Sequence, residues 1–235
     1  MIFSKFCSLK VDTKTGMLEE DNSRFFEILK NNKLHASKFF KFNDMLDCSF
    51  SFDITKNSKK LEKLLEKIYK SKCKKNICCF SKKFKKDDPN EFLMWAHYAN
   101  SHYGIRIDFE LLKNKAIDIK YNKCPFLSNI EKHLVDVDNF ELNDKDLENI
   151  MTCKGGIWQY ENEYRVITDE EKIPINIKKI VIGRAFCKNI QDEREPNLIS
   201  IIAKEIKNNL KNENIPIYFY KDRYSNQEIK FKGYK

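Results

Sequence analysis

The sequence predicts an α+β protein, with strands and helices mixed along a chain of 235 residues. First, 41% of the residues are hydrophobic and 13% are aromatic, a composition typical of globular chains that bury a core. Second, some apolar segments repeat at strand spacing and others at helix spacing. Third, these segments do not alternate as strand–helix units with glycine-rich turns, which argues against a doubly wound parallel sheet. With no internal repeat and no Pro/Ser-rich linker, one domain over residues 1–235 is expected.

The N-terminal part is predicted to contain strands, helices and turns in irregular order. They are a strand over 2–9, a helix over 24–30, an extended segment over 34–37, a turn over 39–47, a helix over 58–69, a strand over 76–81 and a helix over 89–98. The helix over 58–69 has the clearest pattern, because Leu61, Leu64 and Ile68 recur at helical spacing. Asp88 directly before Pro89 is a typical start for the last of these helices.

The C-terminal part continues the mixture. Its predicted elements are a strand over 105–109, a strand over 117–121, one or two surface helices in a polar, acidic insertion near 128–153, a strand from 161 to 167, a strand over 177–182, a helix over 196–210 and a strand over 215–221. Gly155 and Gly156 form a potential hinge before the strand from 161 to 167.

The charge balance suggests weak binding to nucleic acid. The net charge is +9, and lysine clusters such as the one over 82–86 would attract phosphate backbones. Arginine, which makes bidentate contacts with phosphates and bases, is scarce in the chain. We therefore expect a generally basic surface more than a dedicated nucleic-acid site.

The sequence also bears on compartment and metal content. No apolar stretch reaches the length of a membrane span, and the N-terminus lacks the layout of a signal peptide. The eight cysteines are scattered, as expected of reduced thiols, and they show no zinc-binding spacing. Neither a Gly-x-Gly-x-x-Gly nor a Walker A pattern occurs. These observations predict a cytoplasmic protein that uses neither a membrane nor a metal.

The segment over 158–165, Trp-Gln-Tyr-Glu-Asn-Glu-Tyr-Arg, carries the strongest chemical signal. On a strand, Glu161, Glu163 and Arg165 would share one face, with the two carboxylates about 7 Å apart. Each carboxylate disfavours ionisation of the other, whereas the arginine favours it. The arrangement suits a general base or the stabilisation of a cationic transition state. The alternative is a solvated edge strand with a local ion pair.

Other segments also combine polar residues with aromatic ones. They are Phe42-Asn43-Asp44, Cys79-Phe80-Ser81 and Trp95-Ala96-His97-Tyr98. In this order, with Lys5-Phe6 before them and the segment over 158–165 after them, they resemble a large bacterial domain family of undefined function. The resemblance extends over about residues 2–183, and its most specific parts are 94–104 and 158–165.

That family is in turn distantly similar to the ADP-ribosyltransferases. The resemblance implies a mixed or mainly antiparallel split sheet with helices packed around it. It also implies that NAD is the substrate and that its nicotinamide–ribose bond is cleaved by an ADP-ribosyltransferase or an NAD glycohydrolase. The implied setting is a bacterial toxin or a phage-defence effector. The acceptor of the ADP-ribose, whether protein, nucleic acid or water, stays open.

The resemblance assigns roles to individual residues. Lys5, Ser81 and Glu163 correspond to the three site motifs, although better-characterised members carry Arg or His in place of Lys5. Glu163 would stabilise the ribosyl cation, and Glu161 would orient or deprotonate the nucleophile.

Further residues would bind the dinucleotide. Phe80 or Tyr98 would stack on the nicotinamide, and Arg165 would join Lys5 at the pyrophosphate. Other residues implied to line the site are Asn43, Asp44, Trp95, His97 and Trp158.

Structural roles are the alternative for most of these residues. Trp95 and Tyr98 lie three apart on a helix, a spacing typical of a core pair. The pair Asn43-Asp44 would stabilise its own turn, and Arg165 would only neutralise Glu163. The competing hypothesis for the whole chain is a non-catalytic nucleic-acid-binding or sensing domain with a basic surface.

Overall fold

The computed structural model of the chain describes residues 1–12, 18–19, 22–52, 59–125, 127, 134, 136–187 and 198–232. Its α-helices are α1 (Ser23–Asn31), α2 (Lys59–Lys74), α3 (Pro89–Tyr98), α4 (Asp144–Met151) and α5 (Leu198–Asn209). Its strands are β1 (Phe3–Ser8), β2 (Lys33–His35), β3 (Asn76–Lys82), β4 (Gly104–Leu111), β5 (Ile117–Asp118), β6 (Lys120–Tyr121), β7 (Cys153–Lys154), β8 (Glu163–Thr168), β9 (Lys172–Ile182), β10 (Ile217–Tyr220) and β11 (Glu228–Lys230). Short 3-10 helices cover Phe39–Lys41, Gly156–Glu161 and Arg184–Phe186.

Side-chain caps explain where two of the helices begin. The Asp88 carboxylate accepts a hydrogen bond of 2.9 Å from the backbone N–H of Asn90, and Pro89 is the first residue of α3, as predicted. In the same way, the Asn143 side chain accepts a hydrogen bond of 2.8 Å from the backbone N–H of Asp146 at the start of α4.

One compact unit, the first unit, comprises Met1–Leu34, Phe80–Asn114 and Pro174–Lys235. Its strands follow the order β11-β10-β9-β4-β1-β3, and β2 also pairs with β9. β1 is antiparallel to β3 and to β4, and β4 is antiparallel to β9. β10 is parallel to β9 and antiparallel to β11. The sheet is therefore mixed, as predicted.

Aromatic rings form the core of the first unit where β1, β3 and β4 are adjacent. The ring centroids of Phe3 and Phe80 lie 4.8 Å apart, and those of Phe80 and Phe109 lie 5.3 Å apart. Trp95 of α3 is buried and packs edge-on against Phe6 at 5.2 Å. Such pairs contribute about 0.5–1.5 kcal/mol beyond the burial of their area. Phe80 and Trp95, both predicted to contact a ligand, are thus part of this core.

The other compact unit, the second unit, comprises His35–Cys79 and Lys115–Ile173. Within it β8 lies between β3 and β5, and β5 is antiparallel to β8. A separate parallel pair consists of β6 and β7. The core lies between α2 and α4, where Leu64 and Ile68 pack with Ile150.

The strand that was predicted to carry Glu161 begins later than expected. Gly156–Glu161 forms a 3-10 helix, and Asn162 has a left-handed backbone with a φ of 47°. β8 starts only at Glu163. The prediction that Glu161 shares a strand face with Glu163 and Arg165 is therefore wrong, because the left-handed residue interrupts the strand geometry.

Other predicted elements differ in extent. The strand predicted over 117–121 consists of two short strands, β5 and β6, that belong to different sheets. In the insertion near 128–153, α4 is a helix as predicted, whereas 128–133 and 135 lie outside the described residues. The mixture of helices and strands is confirmed. The single domain and the likeness to the ADP-ribosyltransferase fold stay predictions.

A substitution at Gly104 would test how closely the start of β4 is packed in the first unit. A Cβ at this position would lie 2.3 Å from the carbonyl oxygen of Cys7 and 2.8 Å from the Cβ of Ala99. We expect Gly104→Ala to lower the free energy of unfolding by about 1–3 kcal/mol, because the backbone must shift to make room. Urea denaturation followed by circular dichroism measures this loss. Gly155→Ala is the control, since its Cβ would approach no atom closer than 3.8 Å. An equal loss in both variants would contradict the packing argument.

Candidate functional site

The second unit buries an arginine completely. Arg165 lies in β8, and its side chain has 0% exposure. Its Nε donates a 2.7 Å hydrogen bond to Glu163, and its Nη2 donates to both carboxylate oxygens of Asp47 at 2.7 and 2.8 Å. Its Nη1 donates to the main-chain oxygen of Met151 at 2.7 Å. Every nitrogen of the guanidinium therefore has an acceptor, as a buried charge requires.

A lysine links this arginine site to a second carboxylate. The Nζ of Lys154 donates hydrogen bonds of 2.6 Å to Glu161 and 2.7 Å to Glu163. The same Nζ lies 3.8 Å from a carboxylate oxygen of Asp47. Glu163 is thus shared, with one oxygen bound to Arg165 and the other bound to Lys154.

Five buried residues form this network, which we call the ionic cluster: Asp47, Lys154, Glu161, Glu163 and Arg165. They combine three carboxylates with two cations. Lys72 supplies a third positive charge close to Asp47, and its Nζ donates a 2.8 Å hydrogen bond to the carbonyl oxygen of Cys48. The negative and positive charges in this part of the second unit therefore balance.

The local backbone explains how Glu161 joins the cluster from outside the strand. Lys154 ends β7, and the 3-10 helix Gly156–Glu161 follows it. The left-handed Asn162 then turns the chain into β8, so that the carboxylates on either side of it both reach Lys154. The backbone N–H of Glu163 donates to the hydroxyl oxygen of Tyr121 at 2.8 Å, which anchors the start of the strand.

Burial and the neighbouring charges compete at each ionisable group of the cluster. Burial alone would raise the pKa of Glu163, but the charges of Arg165 and Lys154 and their hydrogen bonds outweigh it and hold this pKa well below its usual range. Burial opposes the charge of Lys154, yet the neighbouring glutamates raise its pKa above the ordinary value. Burial raises the pKa of Asp47 in spite of the Arg165 guanidinium. Glu163 is therefore a weak base but a permanent negative charge.

Aromatic rings cover both cations. The Nζ of Lys154 lies 5.2 Å from the ring centroid of Trp158, and the guanidinium carbon of Arg165 lies 5.3 Å from that of Phe42. The indole Nε1 of Trp158 is buried and has no hydrogen-bond partner among the described residues. Trp158, predicted to line the site, therefore lies against the cluster.

The predicted Asn-Asp turn contributes indirectly. A carboxylate oxygen of Asp44 accepts a 2.9 Å hydrogen bond from the backbone N–H of Leu46, and the carbonyl oxygen of Asp44 accepts one of 3.2 Å from that of Asp47. The turn thereby presents Asp47 to Arg165, while Asn43 is exposed.

The remaining predicted site residues belong to the first unit. They are Lys5, Phe80, Ser81, Trp95, His97 and Tyr98. Lys5 is paired with Ile107 across β1 and β4, and Ser81 is paired with Ser4 across β3 and β1. The convergence of Lys5, Ser81 and Glu163 in one cleft stays a prediction.

Sequence reasoning missed two members of the cluster, Asp47 and Lys154. In the sequence Lys154 only precedes the glycine pair Gly155-Gly156, and Asp47 is only the last residue of the predicted turn over 39–47. The only signal in the sequence is weak: each of the two stands next to a cysteine, Cys153 or Cys48, and cysteine is one of the residue types most often buried.

The described residues contain neither a metal-binding cluster nor a membrane-spanning helix. No group of three or more His, Cys, Asp or Glu side chains in the described ranges could hold a metal ion. Across the same ranges, none of the helices has the length and apolar character needed to cross a membrane. The eight cysteines are all described, and all are free thiols.

Part of the chain is similar to a known protein family. A family described as a protein of unknown function, DUF2971, matches residues 94–166. The matched span is less than half of the chain, and it includes both the Trp95-to-Tyr98 motif and the motif that ends at Arg165. No curated protein and no solved structure gives a significant match. The chain is therefore similar over this span to a family whose function is unknown.

Acid should weaken the contribution of Glu163 to stability. At pH 7 we expect Glu163→Gln to lose about 3–5 kcal/mol of unfolding free energy, because two buried cations lose a shared carboxylate. The pKa of Glu163 is lowered by folding, from an unfolded value of about 4.3. Its stabilisation is therefore present above about pH 5 and is lost as the pH falls towards the folded pKa. Urea titrations should show the gap between native protein and variant narrowing from about pH 5 to about pH 3.

Glu141→Gln serves as the matched control, because Glu141 is exposed in the same unit. It should leave stability unchanged at each pH. A gap for Glu163→Gln that stays constant over the whole range would show that folding does not lower the pKa of Glu163.

The pairing of Lys154 with Glu161 can be measured with a double-mutant cycle. We expect the effects of Lys154→Met and Glu161→Gln on the free energy of unfolding to be coupled by about 0.5–3 kcal/mol. Each substitution alone leaves the unchanged member of the pair buried without its partner. The exposed pair Glu66–Lys70 in α2 is the control, with a separation of 2.6 Å and an expected coupling close to zero. Equal coupling in the two cycles would contradict the assignment of the buried pair.

Proposed function

We propose that the protein cleaves the bond between nicotinamide and ribose in NAD, as an ADP-ribosyltransferase or an NAD glycohydrolase. One observation carries the proposal. Two carboxylates, Glu161 and Glu163, converge on a single buried point, where the Lys154 ammonium lies at 2.6 and 2.7 Å. A pair of negative charges organised around one positive charge is the environment that a ribosyl cation requires.

The proposed chemistry follows from the charge that develops on the substrate. When the glycosidic C–N bond breaks, its electron pair goes to nicotinamide, which leaves as a neutral molecule, and the ribose becomes oxocarbenium-like. Glu163 would stabilise this cation, because its lowered pKa keeps it ionised. Water or an acceptor then forms a bond to the same ribose carbon, and its proton passes to Glu161.

Lys154 has to move for the reaction to proceed. Its ammonium occupies the position between the two glutamates that the ribosyl cation would take. The residue is followed by Gly155 and Gly156, and the anionic pyrophosphate of the substrate would offer the displaced ammonium a new partner. Lys154 would then bind the pyrophosphate of the substrate, the role that the family resemblance implies for Arg165.

Arg165 fits a positioning role in this proposal. All its donors are engaged by Asp47, Glu163 and Met151, so it holds the Glu163 carboxylate in place. The contacts of Lys5, Ser81, Phe80 and Tyr98 with the substrate rest on the family resemblance alone. So does the toxin or phage-defence setting.

A second candidate function is nucleic-acid binding by a domain without catalysis. It is favoured by the lysines of the segment that follows β3, of which Lys83, Lys85 and Lys86 are exposed. Binding of this kind is mainly electrostatic and would weaken steeply with salt.

The release of nicotinamide tests the catalytic proposal. Purified protein would be incubated with NAD, with and without a cell extract, and free nicotinamide measured by chromatography. We expect Glu163→Gln to lower the rate by about 10²–10³-fold and Glu161→Gln by about 10²–10⁴-fold, whereas the exposed Glu141→Gln should be unaffected. Near-ultraviolet circular dichroism confirms that each variant is folded. No release by the native protein in either condition, together with no NAD binding, would favour the nucleic-acid-binding candidate.

A further inference from the structure

A cleft of about 700 Å³ opens within the first unit. Its walls come from the segment between β3 and α3, from α3, from residues of β4 and β9, from the 3-10 helix Arg184–Phe186 and from the β10–β11 region, all of which belong to that unit. The volume is in the range of small-molecule sites, about 300–1,000 Å³. None of the members of the ionic cluster lines this cleft.

One lining residue, Arg184, is a buried cation that no carboxylate of the described residues neutralises. Its exposure is 8%, and its guanidinium is stacked between the rings of Phe92 at 5.0 Å and Tyr220 at 4.4 Å. Nη2 donates a 3.0 Å hydrogen bond to the amide oxygen of Asn226. Nε is buried and has no acceptor among the described residues, and no carboxylate of those residues forms an ion pair with Arg184.

A second arginine in the same cleft, Arg106, is neutralised by carboxylates of the protein itself. Arg106 donates to Asp108 at 2.8 Å, to Glu228 at 2.9 Å and also to Glu91. Three carboxylates of the protein therefore neutralise Arg106. Buried charges are normally paired in this way, so the arrangement at Arg184 leaves room for an anion from outside the chain.

Neighbouring residues indicate the kind of anion. Lys85 and Lys86 are exposed and line the cleft, where they would add positive charge beside a bound phosphate. The side chain of Phe92, which also lines the cleft, is 50% exposed although it is large and apolar. Its ring already packs against His102, with centroids 4.4 Å apart, and against Arg184, and the half of its surface that stays exposed would suit contact with a planar ring.

We propose that this cleft binds a phosphorylated small molecule that carries an aromatic ring, of the nucleotide class. Arg184 receives the phosphate, Lys85 and Lys86 neutralise it, and Phe92 stacks against the ring. A continuous polyanion fits less well, because it carries one negative charge on every nucleotide and the cleft is also lined by acidic side chains such as Asp87, whereas a single nucleotide needs cations only at its one phosphate group. The inference uses residues of the first unit alone, so it holds or fails independently of NAD cleavage by the ionic cluster.

Isothermal titration calorimetry of the full chain with ADP tests the inference. Adenosine lacks the phosphate and inorganic pyrophosphate lacks the aromatic ring. Each should bind roughly tenfold or more weakly than ADP, since charged hydrogen bonds and stacking both contribute to affinity. Arg184→Gln should weaken ADP binding by about tenfold or more, and Lys85→Gln with Lys86→Gln by about two- to threefold. Lys204→Gln, which removes an equal charge from an exposed position of α5, should leave binding unchanged.

Because Arg184 is buried, its variant is first checked for folding by thermal denaturation. The lysine double variant provides the second measurement, since both side chains are exposed and the fold does not depend on them. Retained ADP affinity in folded Arg184→Gln, or equal losses in Lys204→Gln, would overturn the site. No ADP binding by the native protein would overturn it as well, and so would tighter binding of a single-stranded oligonucleotide than of ADP.

Discussion

The complete burial of Arg165 is the constraint around which the second unit is organised. A guanidinium in the interior requires an acceptor at each nitrogen, because leaving a buried charge unpaired costs several kcal/mol, about 3–5 when one partner is removed. The acceptors come from three separate places: the strand itself, the end of α4 and the turn before Asp47. These segments are held together by polar contacts as much as by the apolar packing of α2 and α4.

The same contacts limit what the carboxylates can do. A glutamate held between two cations is ionised, and a strongly ionised carboxylate is a poor acceptor of protons. It can still stabilise a positive charge that replaces one of its partners. Lys154 is the exchangeable partner, because it contacts the glutamates through a single flexible ammonium, whereas Arg165 is bound at every nitrogen. A structural ion network and a cation-stabilising site are therefore compatible in one set of residues.

Local signals in the sequence were sufficient for much of the fold and for part of the site. The cap at Asp88 and the face of α1 with Phe25, Ile28 and Leu29 are encoded within one or two turns, and both appear in the structure. The relative positions of Glu161 and Glu163 could not be predicted from the sequence, because they depend on the left-handed backbone at Asn162. Asp47, the partner of Arg165, lies 118 positions before it in the chain. Over such a separation, the spacing of residues in the sequence does not show which side chains are in contact.

The partners of three buried arginines distinguish a structural arginine from one that is available to bind a ligand. Arg165 in the second unit and Arg106 in the first are both buried, and both are neutralised by carboxylates of the protein. Arg184 is buried to a similar degree, but aromatic rings and an amide surround it in place of carboxylates. Stacking on rings compensates a cation only in part, about 0.5–2 kcal/mol, which is less than the cost of its desolvation. The two arginines with complete ion pairs are explained by the fold alone, whereas the described residues give the third no carboxylate, and this difference is the basis for proposing an anion in the cleft.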